Sequence, residues 1–344
     1  MDVSAISNFL PPFFAGFGLS MVFLFVAYFF RDRFSRVMET GRTHKNVPRL
    51  GGVAIGAGFF LFLLVQTVLE RTDALLGLAV GTVLATGFGF LDDLRPVPWR
   101  VQLSVQVGLG IVLFLSGMRA WVVTNPFGEP FFLSPASNPW PSLIIGICFT
   151  VLVMNAMNWV DGVDGLLPGI ASIAFVAVLF VSLRPEVNQP TVAILSLASL
   201  GCALSLLVWN APPARLLSGT AGAYFLGFTV SALALFSGAK IATVLVALSV
   251  PVLDALFVIR ERLRAGDSPF RGGDARHLHD RLRSLGWSDR RIVVSYTAVS
   301  ALSAGAALLL PAAGKFWFLL AFAFGFVFLL SRLDRTGNPG GTRA

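Results

Sequence analysis

The feature that most constrains this chain is a series of eleven apolar runs, each near the length that crosses a bilayer as a helix. They fall at about 9–30, 50–69, 74–91, 101–118, 142–160, 167–183, 190–209, 221–239, 241–259, 292–311 and 313–331. A helical span needs about 20 consecutive apolar residues. Hydrocarbon offers the backbone no hydrogen-bonding partner, so such runs satisfy their own N–H and C=O groups as helices. Only 13% of the residues are charged, against about 25% in a soluble domain, so bilayer rather than water is the expected solvent. The expectation is an all-α integral membrane protein of about eleven transmembrane helices, built as one polytopic domain over residues 1–331. The Gly-rich stretch 332–344 reads as a disordered tail. Residues 3–30 are uncharged over 28 positions, too long for the apolar core of a cleavable signal, and read as the first span. Cys148 and Cys202 lie inside apolar runs, without disulfide or metal spacing, and read as small packing residues.

Orientation follows from the basic residues. If the N-terminus is outside and the C-terminus cytoplasmic, 21 of the 26 Lys and Arg fall on the inside and five on the outside, the bias expected of cytoplasmic loops. The inside loops are then 31–49, 92–100, 155–166, 210–220 and 260–291. The outer segment 119–141, rich in Pro, Phe and Trp, reads as an ordered interfacial loop. The net charge of +8 is thus accounted for by topology and by contacts with anionic membrane lipids or phosphate. No segment outside the spans is long enough to present a basic, folded face to nucleic acid.

Charge at the edge of a membrane is costly, so carboxylates there are functional candidates. Five qualify: Asp92, Asp93, Asp161, Asp164 and Asp254. All fall at the cytoplasmic ends of spans. Asp92 and Asp93 are adjacent and repel unless a cation lies near. A hard ion such as Mg²⁺ suits them, although the pair by itself is equally an ordinary solvated loop start. More specific is the run Asn155-Ala-Met-Asn158-Trp-Val-Asp161-Gly162-Val-Asp164-Gly165. Its polar residues recur every third position, on one side of a helix, before Asp-Gly steps break it. A polar turn capping the next span does not explain two Asn inside a span. In loop 260–291, Arg276-His277-Leu-His279-Asp280-Arg281 suits neutralisation of a pyrophosphate. It lacks the partners of a zinc site.

Together these motifs resemble the polyprenyl-phosphate N-acetylhexosamine-1-phosphate transferases, or glycosyltransferase family 4, along essentially the whole chain. Lys45-x-x-Pro48-x-x-Gly51-Gly52, Asp92-Asp93, Asn155 to Gly165, Asn210-Ala-Pro-Pro213-Ala, Asp254 and His277-x-His279 all match. The His-x-His form is closer to the branch that starts surface polysaccharides than to the peptidoglycan lipid I translocase.

The resemblance implies transfer of a sugar 1-phosphate from a UDP-N-acetylhexosamine to polyprenyl phosphate. The products are polyprenyl-diphospho-sugar and UMP, at the first membrane step of a cell-envelope polysaccharide. It implies a bacterial inner-membrane location with a cytoplasmic site, and Mg²⁺ or Mn²⁺ as cofactor. It further implies catalytic Asp92 and Asp93; metal contacts from these two with Asn155 and the residue at 220; nucleotide-sugar contacts from Lys45, Asn158, Asp161, Gly162 and Asp164; pyrophosphate or sugar contacts from Arg276, His277, His279 and Arg281; and supporting Gly51, Gly52, Asn210, Pro213 and Asp254. Homodimerisation is left open.

One segment departs from the family pattern. Leu217-Ser-Gly-Thr220-Ala-Gly-Ala223 carries Thr220 where the family has a metal-binding Asp, Ala223 for Ser, and Leu217 for an aromatic that stacks on uracil. These three changes are the basis of a second reading, a weakened or inactive paralogue that binds the lipid carrier or a partner. A transporter would place charge near the bilayer midplane and show internal repeats, and neither is found.

Overall fold

The structure is a computed structural model that describes residues 3–34, 47–236, 241–270 and 276–337. It is helical throughout its membrane part. The helices are α1 (Val3–Phe29), α2 (Arg31–Phe34), α3 (Gly51–Val65), α4 (Asp73–Leu94), α5 (Trp99–Leu115), α6 (Pro139–Val160), α7 (Leu166–Ser182), α8 (Pro190–Asn210), α9 (Gly219–Phe236), α10 (Ile241–Ala247), α11 (Ser249–Arg264), α12 (Leu278–Ser284), α13 (Asp289–Leu309) and α14 (Ala312–Gly337). Seven are long and apolar enough to cross a membrane, and an eighth crossing is made if α10 and α11 count as one. Three shorter apolar helices, α3, α5 and α7, occupy further runs identified in the sequence. The chain is a multi-pass, all-α membrane protein.

Three local expectations are corrected. The run 241–259 is not one straight span, because α10 and α11 meet at an angle of 84°. Pro251, in the first turn of α11, has no N–H to give to Ala247, and its ring would collide with that carbonyl, so the helix breaks at Leu248. α14 continues to Gly337, six residues into the segment read as a disordered tail. Cys148 faces out of the bundle, and only Cys202 is buried. Segment 119–141 contains a two-residue antiparallel ladder, β1 (Val122–Val123) with β2 (Phe131–Phe132).

α9 lies at the centre. It packs against α3, α4, α6, α7 and α8, and is apolar on every side, as a helix with no solvent face must be. Its first turn is held in a slot made by glycine. A side chain at Gly52 of α3 would run into the backbone of Gly222, and one at Gly89 of α4 into Ala221. Gly219, which opens α9, has φ +65°, a conformation glycine adopts without penalty. α14 is the outermost helix, with 11% of its apolar window buried.

Candidate active site

Three connections meet at one end of the bundle, the loop between α8 and α9 bonding to both of the others. The segment before α3 is zipped to the segment before α9: Leu217 N–H donates to Pro48 O (3.1 Å), Gly51 N–H to Leu217 O (2.9 Å) and Gly52 N–H to Ser218 O (3.0 Å). The turn after α6 is tied to the turn after α8. Gly165 N–H donates to Asn210 Oδ1 (2.8 Å), Asn210 Nδ2 to Leu216 O (3.0 Å), and Ala214 N–H to Asp164 Oδ2 (2.9 Å). Gly51, Gly52, Asn210 and Asp164 therefore assemble the floor of this end. Pro213 lies on its surface. Lys45 lies outside the described residues.

The carboxylate pair divides its work. Asp93 is buried. It accepts Thr220 N–H at Oδ1 (2.9 Å) and Ala221 N–H at Oδ2 (3.0 Å), capping the N-terminus of α9, with Arg49 Nη1 3.6 Å away. A carboxylate here pairs orphan donors and meets the positive end of the helix dipole. Asp92 is only half-buried. Its Oδ1 accepts Val97 N–H (2.8 Å) and Gln102 Nε2–H (3.0 Å), and its Oδ2 accepts the Thr220 hydroxyl (2.9 Å).

Beside this cluster opens a cavity of about 510 Å³, lined by Val97, Trp99, Gln102, Leu103, Asn155, Asn158, Trp159, Asp161, Gly162, Arg262, Phe270, His277, His279 and Asp280. Asn155, Asn158 and Asp161, spaced three apart on α6 and its C-cap, all face it. Asn155 Nδ2 donates to Gln106 Oε1 (2.6 Å) and Val151 O (2.8 Å), and Gln106 Nε2 donates to Tyr224 Oη (2.9 Å). Gln106 Nε2 also donates, at 3.5 Å, to the Asn155 carbonyl oxygen, which keeps one lone pair to offer a ligand. Gln102 both lines the cavity and holds Asp92, so it joins the two halves.

The His-x-His segment is docked firmly. His277 Nδ1 lies 2.7 Å from Asp254 Oδ2, and Leu278 N–H donates to Asp254 Oδ1 (2.8 Å). Asp254 thus orients His277 rather than facing the cavity. His277 and His279 stack with ring centroids 5.5 Å apart. A side chain at Gly162 would collide with the His279 ring, so glycine is what lets the two motifs touch. His279 Nδ1 is buried without a partner. Desolvation holds the His279 pKa below its ordinary value, against the pull of Asp280. Burial pushes the Asp161 carboxyl well above the usual range, opposed by the Ser218 hydroxyl and reinforced by Asp93. Arg276 and Arg281 do not line the cavity. Arg276 pairs with Asp267 (2.8 Å), and Arg281 donates Nε–H to Arg276 O (3.0 Å) with its guanidinium over Phe257.

Several contributors were not singled out from the sequence. Arg262 is fully buried, 4.9 Å above the Trp159 ring, and donates to Pro269 O (2.9 Å). Its signal was the spacing of Asp254, Val258 and Arg262, four apart on one face of α11. Gln102 and Gln106 were two amides one turn apart in an apolar run, the kind of residue that marks a site in a membrane. The stacked pair Trp99–Phe270, 5.7 Å apart, joins residues far apart in sequence and carried no local signal.

The oxygens at Asp92, Thr220 and Asn155 are hard donors that fit Mg²⁺ or Mn²⁺ shared with substrate phosphates. They do not form an all-protein cage, and no group of three His, Cys, Asp or Glu is gathered for a metal among the described residues.

Comparison with known proteins agrees with this picture. The profile of glycosyl transferase family 4 matches residues 75–238. The phospho-N-acetylmuramoyl-pentapeptide-transferase of Geobacillus kaustophilus is 31% identical over 82% of this chain and 90% of its own length. The decaprenyl-phosphate N-acetylglucosaminephosphotransferase of Mycobacterium tuberculosis is 30% identical, over 76% and 71%. The probable undecaprenyl-phosphate N-acetylglucosaminyl 1-phosphate transferase of Bacillus subtilis is 28% identical, over 73% and 69%. Relatives of both branches thus match most of its length, and the chain belongs to glycosyl transferase family 4 as a phospho-sugar transferase of the membrane.

Proposed function

We propose that the protein transfers an N-acetylhexosamine 1-phosphate from its UDP-sugar to a polyprenyl phosphate, releasing UMP, at the cytoplasmic face of a bacterial inner membrane. The observation that carries this reading is the junction at Gln102, where a polar cavity of nucleotide size meets the Asp92 carboxylate. The bond formed joins a lipid phosphate oxygen to the β-phosphorus of the UDP-sugar. The bond broken is that phosphorus to the bridging oxygen, which leaves with UMP.

In this reading the cavity takes the nucleotide sugar. Asn158, Asp161 and Gly162 bind its polar edges, and Arg262, His277 and His279 face the pyrophosphate, with Arg276 and Arg281 adding positive potential. The Trp99–Phe270 pair offers a flat apolar wall in place of the aromatic absent at Leu217. Asp92 accepts a proton from the lipid phosphate when it arrives protonated, and Gln102 keeps that carboxylate aimed. Asp93 positions Thr220 by fixing the first turn of α9. A divalent ion held by Asp92, Thr220 and Asn155 would neutralise charge developing on the transferred phosphoryl group. Phosphoryl transfer of this kind depends mainly on positioning and charge neutralisation. The same reading takes eleven crossings with the N-terminus outside, the orientation that the basic loops favour, and with it these groups would lie on the side where nucleotide sugars are made.

The test is direct. Purified protein is incubated with polyprenyl phosphate and UDP-GlcNAc or UDP-GalNAc in Mg²⁺ or Mn²⁺, and UMP release is followed. Turnover with at least one UDP-amino sugar is expected, and absence of turnover with every such donor refutes the proposal.

A further inference from the structure

At the end of the bundle opposite the active site, two cations stand together without an acid. α7 leaves the site floor at Leu166 and runs 17 residues to Ser182, about 25 Å of helix, so Arg184 just beyond it lies at the far end. Arg184 is half-buried and donates Nη2–H to the carbonyl of Leu308 in the last turn of α13. Lys315 of α14 is half-buried too, and its Nζ donates to the hydroxyl of Thr243 on α10 (3.0 Å). The two are near enough for their charges to repel. Neither pairs with a carboxylate among the described residues, and Glu186, two residues from Arg184, is exposed. At the site end, by contrast, Arg49, Arg276 and Arg283 each have an acid within 3.6 Å.

Arg184 alone needs no further explanation. A cation beside the C-terminal ends of α7 and α13 meets the negative end of each dipole and satisfies an orphan carbonyl. Lys315 is placed the other way. It is the fourth residue of α14, where the helix dipole is positive and a cation is disfavoured. No acidic residue in that first turn offsets it, and its partner is a neutral hydroxyl. Partial burial removes water that would otherwise screen the two charges from each other. One anion between them would relieve the repulsion, the dipole and the lost hydration together. The approach to this point is through lipid. α14 has 11% of its apolar window buried, and Trp317, two residues on from Lys315, is exposed beside Phe316 and Phe127. Exposed tryptophan marks the headgroup level of a bilayer. A phosphodiester at that level carries one negative charge and two free oxygens, one for a guanidinium and one for an ammonium.

We propose that Arg184 and Lys315 form a binding site for the phosphodiester headgroup of an anionic phospholipid, in the leaflet opposite the active site. The site stands apart from the transferase reading and does not depend on which reaction occurs at the other face.

The experiment titrates the full chain, stripped of lipid in neutral detergent, with phosphatidylglycerol, phosphatidylcholine or inorganic phosphate. Labelling of Lys315 by an amine-reactive reagent is read by mass spectrometry of its peptide. Phosphatidylglycerol at ten times its Kd should slow that labelling by about ten-fold, and the other two should leave it unchanged. It should also raise the melting temperature by roughly 2–4 °C. Basic loops at the site end attract anionic lipid as well, so the quantity that decides is the part of this shift that Lys315→Gln removes. Native mass spectrometry of that variant should show one phosphatidylglycerol fewer retained. Lys315→Glu places an acceptor where the phosphate would lie, beside Arg184 and the Thr243 hydroxyl. It should melt above the wild type without lipid and gain less from phosphatidylglycerol. Protection of Lys315 by inorganic phosphate alone would make this a site for soluble anions and overturn the lipid assignment, and equal protection by phosphatidylcholine would overturn it too. A Lys315→Gln protein that keeps the whole shift, or a Lys315→Glu protein that melts below the wild type without lipid, would also sink the proposal. Labelling is read on the wild-type chain, so it decides the matter even if neither variant folds.

Discussion

Truncating Asp93 should unfold the protein more than it disturbs any chemical step. Asp93→Ala removes the acceptor of two buried N–H groups, on Thr220 and Ala221. Each buried donor left unpaired costs about 1–3 kcal/mol, and a carboxylate at a partly buried helix N-terminus contributes up to about 2 kcal/mol more. The Arg49 contact at 3.6 Å, with Arg49 about one-third exposed, adds at most a few tenths after screening. Water entering the vacated space would recover part of one bond, so the net loss is about 3–5 kcal/mol. Asp92→Asn is different, because an amide oxygen at that position still accepts from Val97 and Gln102. Its cost should stay near about 1 kcal/mol. Melting curves of the two variants in detergent should separate by roughly 3–6 °C, with Asp93→Ala the lower. In UMP release, Asp92→Asn should be nearly inactive at a near-normal melting temperature. An Asp93→Ala protein that melts with the wild type and yet fails to turn over would refute the cap and place Asp93 in the chemistry.

Four further outcomes follow from the same geometry. Gly162→Ala pushes against the buried His279 ring, and should cut turnover by about ten-fold or more by displacing that ring, with melting little changed. Thr220→Asp sets a second negative charge beside Asp92. It should lower stability in EDTA and tighten Mn²⁺ binding, measured by electron paramagnetic resonance; unchanged Mn²⁺ affinity would remove Thr220 from the metal contacts. His279 has a folded-state pKa below its ordinary 6.5. The unfolded chain therefore takes up a proton first as pH falls, and stability conferred by neutral His279 is complete above pH 6.5 and lost below it. His279→Gln should flatten that acid limb of the melting profile. Arg262→Lys gives up the planar stack on Trp159, and should raise KM for the nucleotide sugar by about ten-fold with little change in KM for the lipid.

Much of the site was legible in the sequence because membranes make polar residues conspicuous. Asn155, Asn158 and Asp161 stood out against an apolar run, and their spacing of three put them on one wall of the cavity. Gly51-Gly52 was legible as the end of a family motif, and it proved to be where α3 meets α9. The parts that were not legible depend on distance in space. Nothing local in the sequence distinguishes Asp93 from Asp92; only the arrival of α9 turns one into a cap and leaves the other half-exposed. Arg262 looked like one more basic residue in a basic loop, because the burial that sets it apart is created by Trp159 from another helix. The break at Leu248 was written in Pro251, but apolar periodicity runs across it unbroken.

The position of Thr220 gains meaning from this. In the family pattern an acid stands there, beside two others, and three carboxylates at one helix end hold together only with a cation present. Here the hydroxyl donates to Asp92, and the backbone amide beneath it donates to Asp93. The cluster is therefore satisfied by the protein alone. A site of this kind can stay folded without metal and take a divalent ion together with the substrate phosphates rather than before them. Ordered binding should then distinguish this chain from a relative carrying the acid: its affinity for Mn²⁺ should be weak alone and rise when a UDP-sugar is present. Thermodynamic linkage requires the converse as well, so Mn²⁺ should tighten UDP-sugar binding by the same factor. Calorimetric titrations run in both orders check the two numbers against each other. Equal Mn²⁺ affinity with and without nucleotide would show that the ion and the pyrophosphate do not share the Asp92–Thr220 end of the cavity.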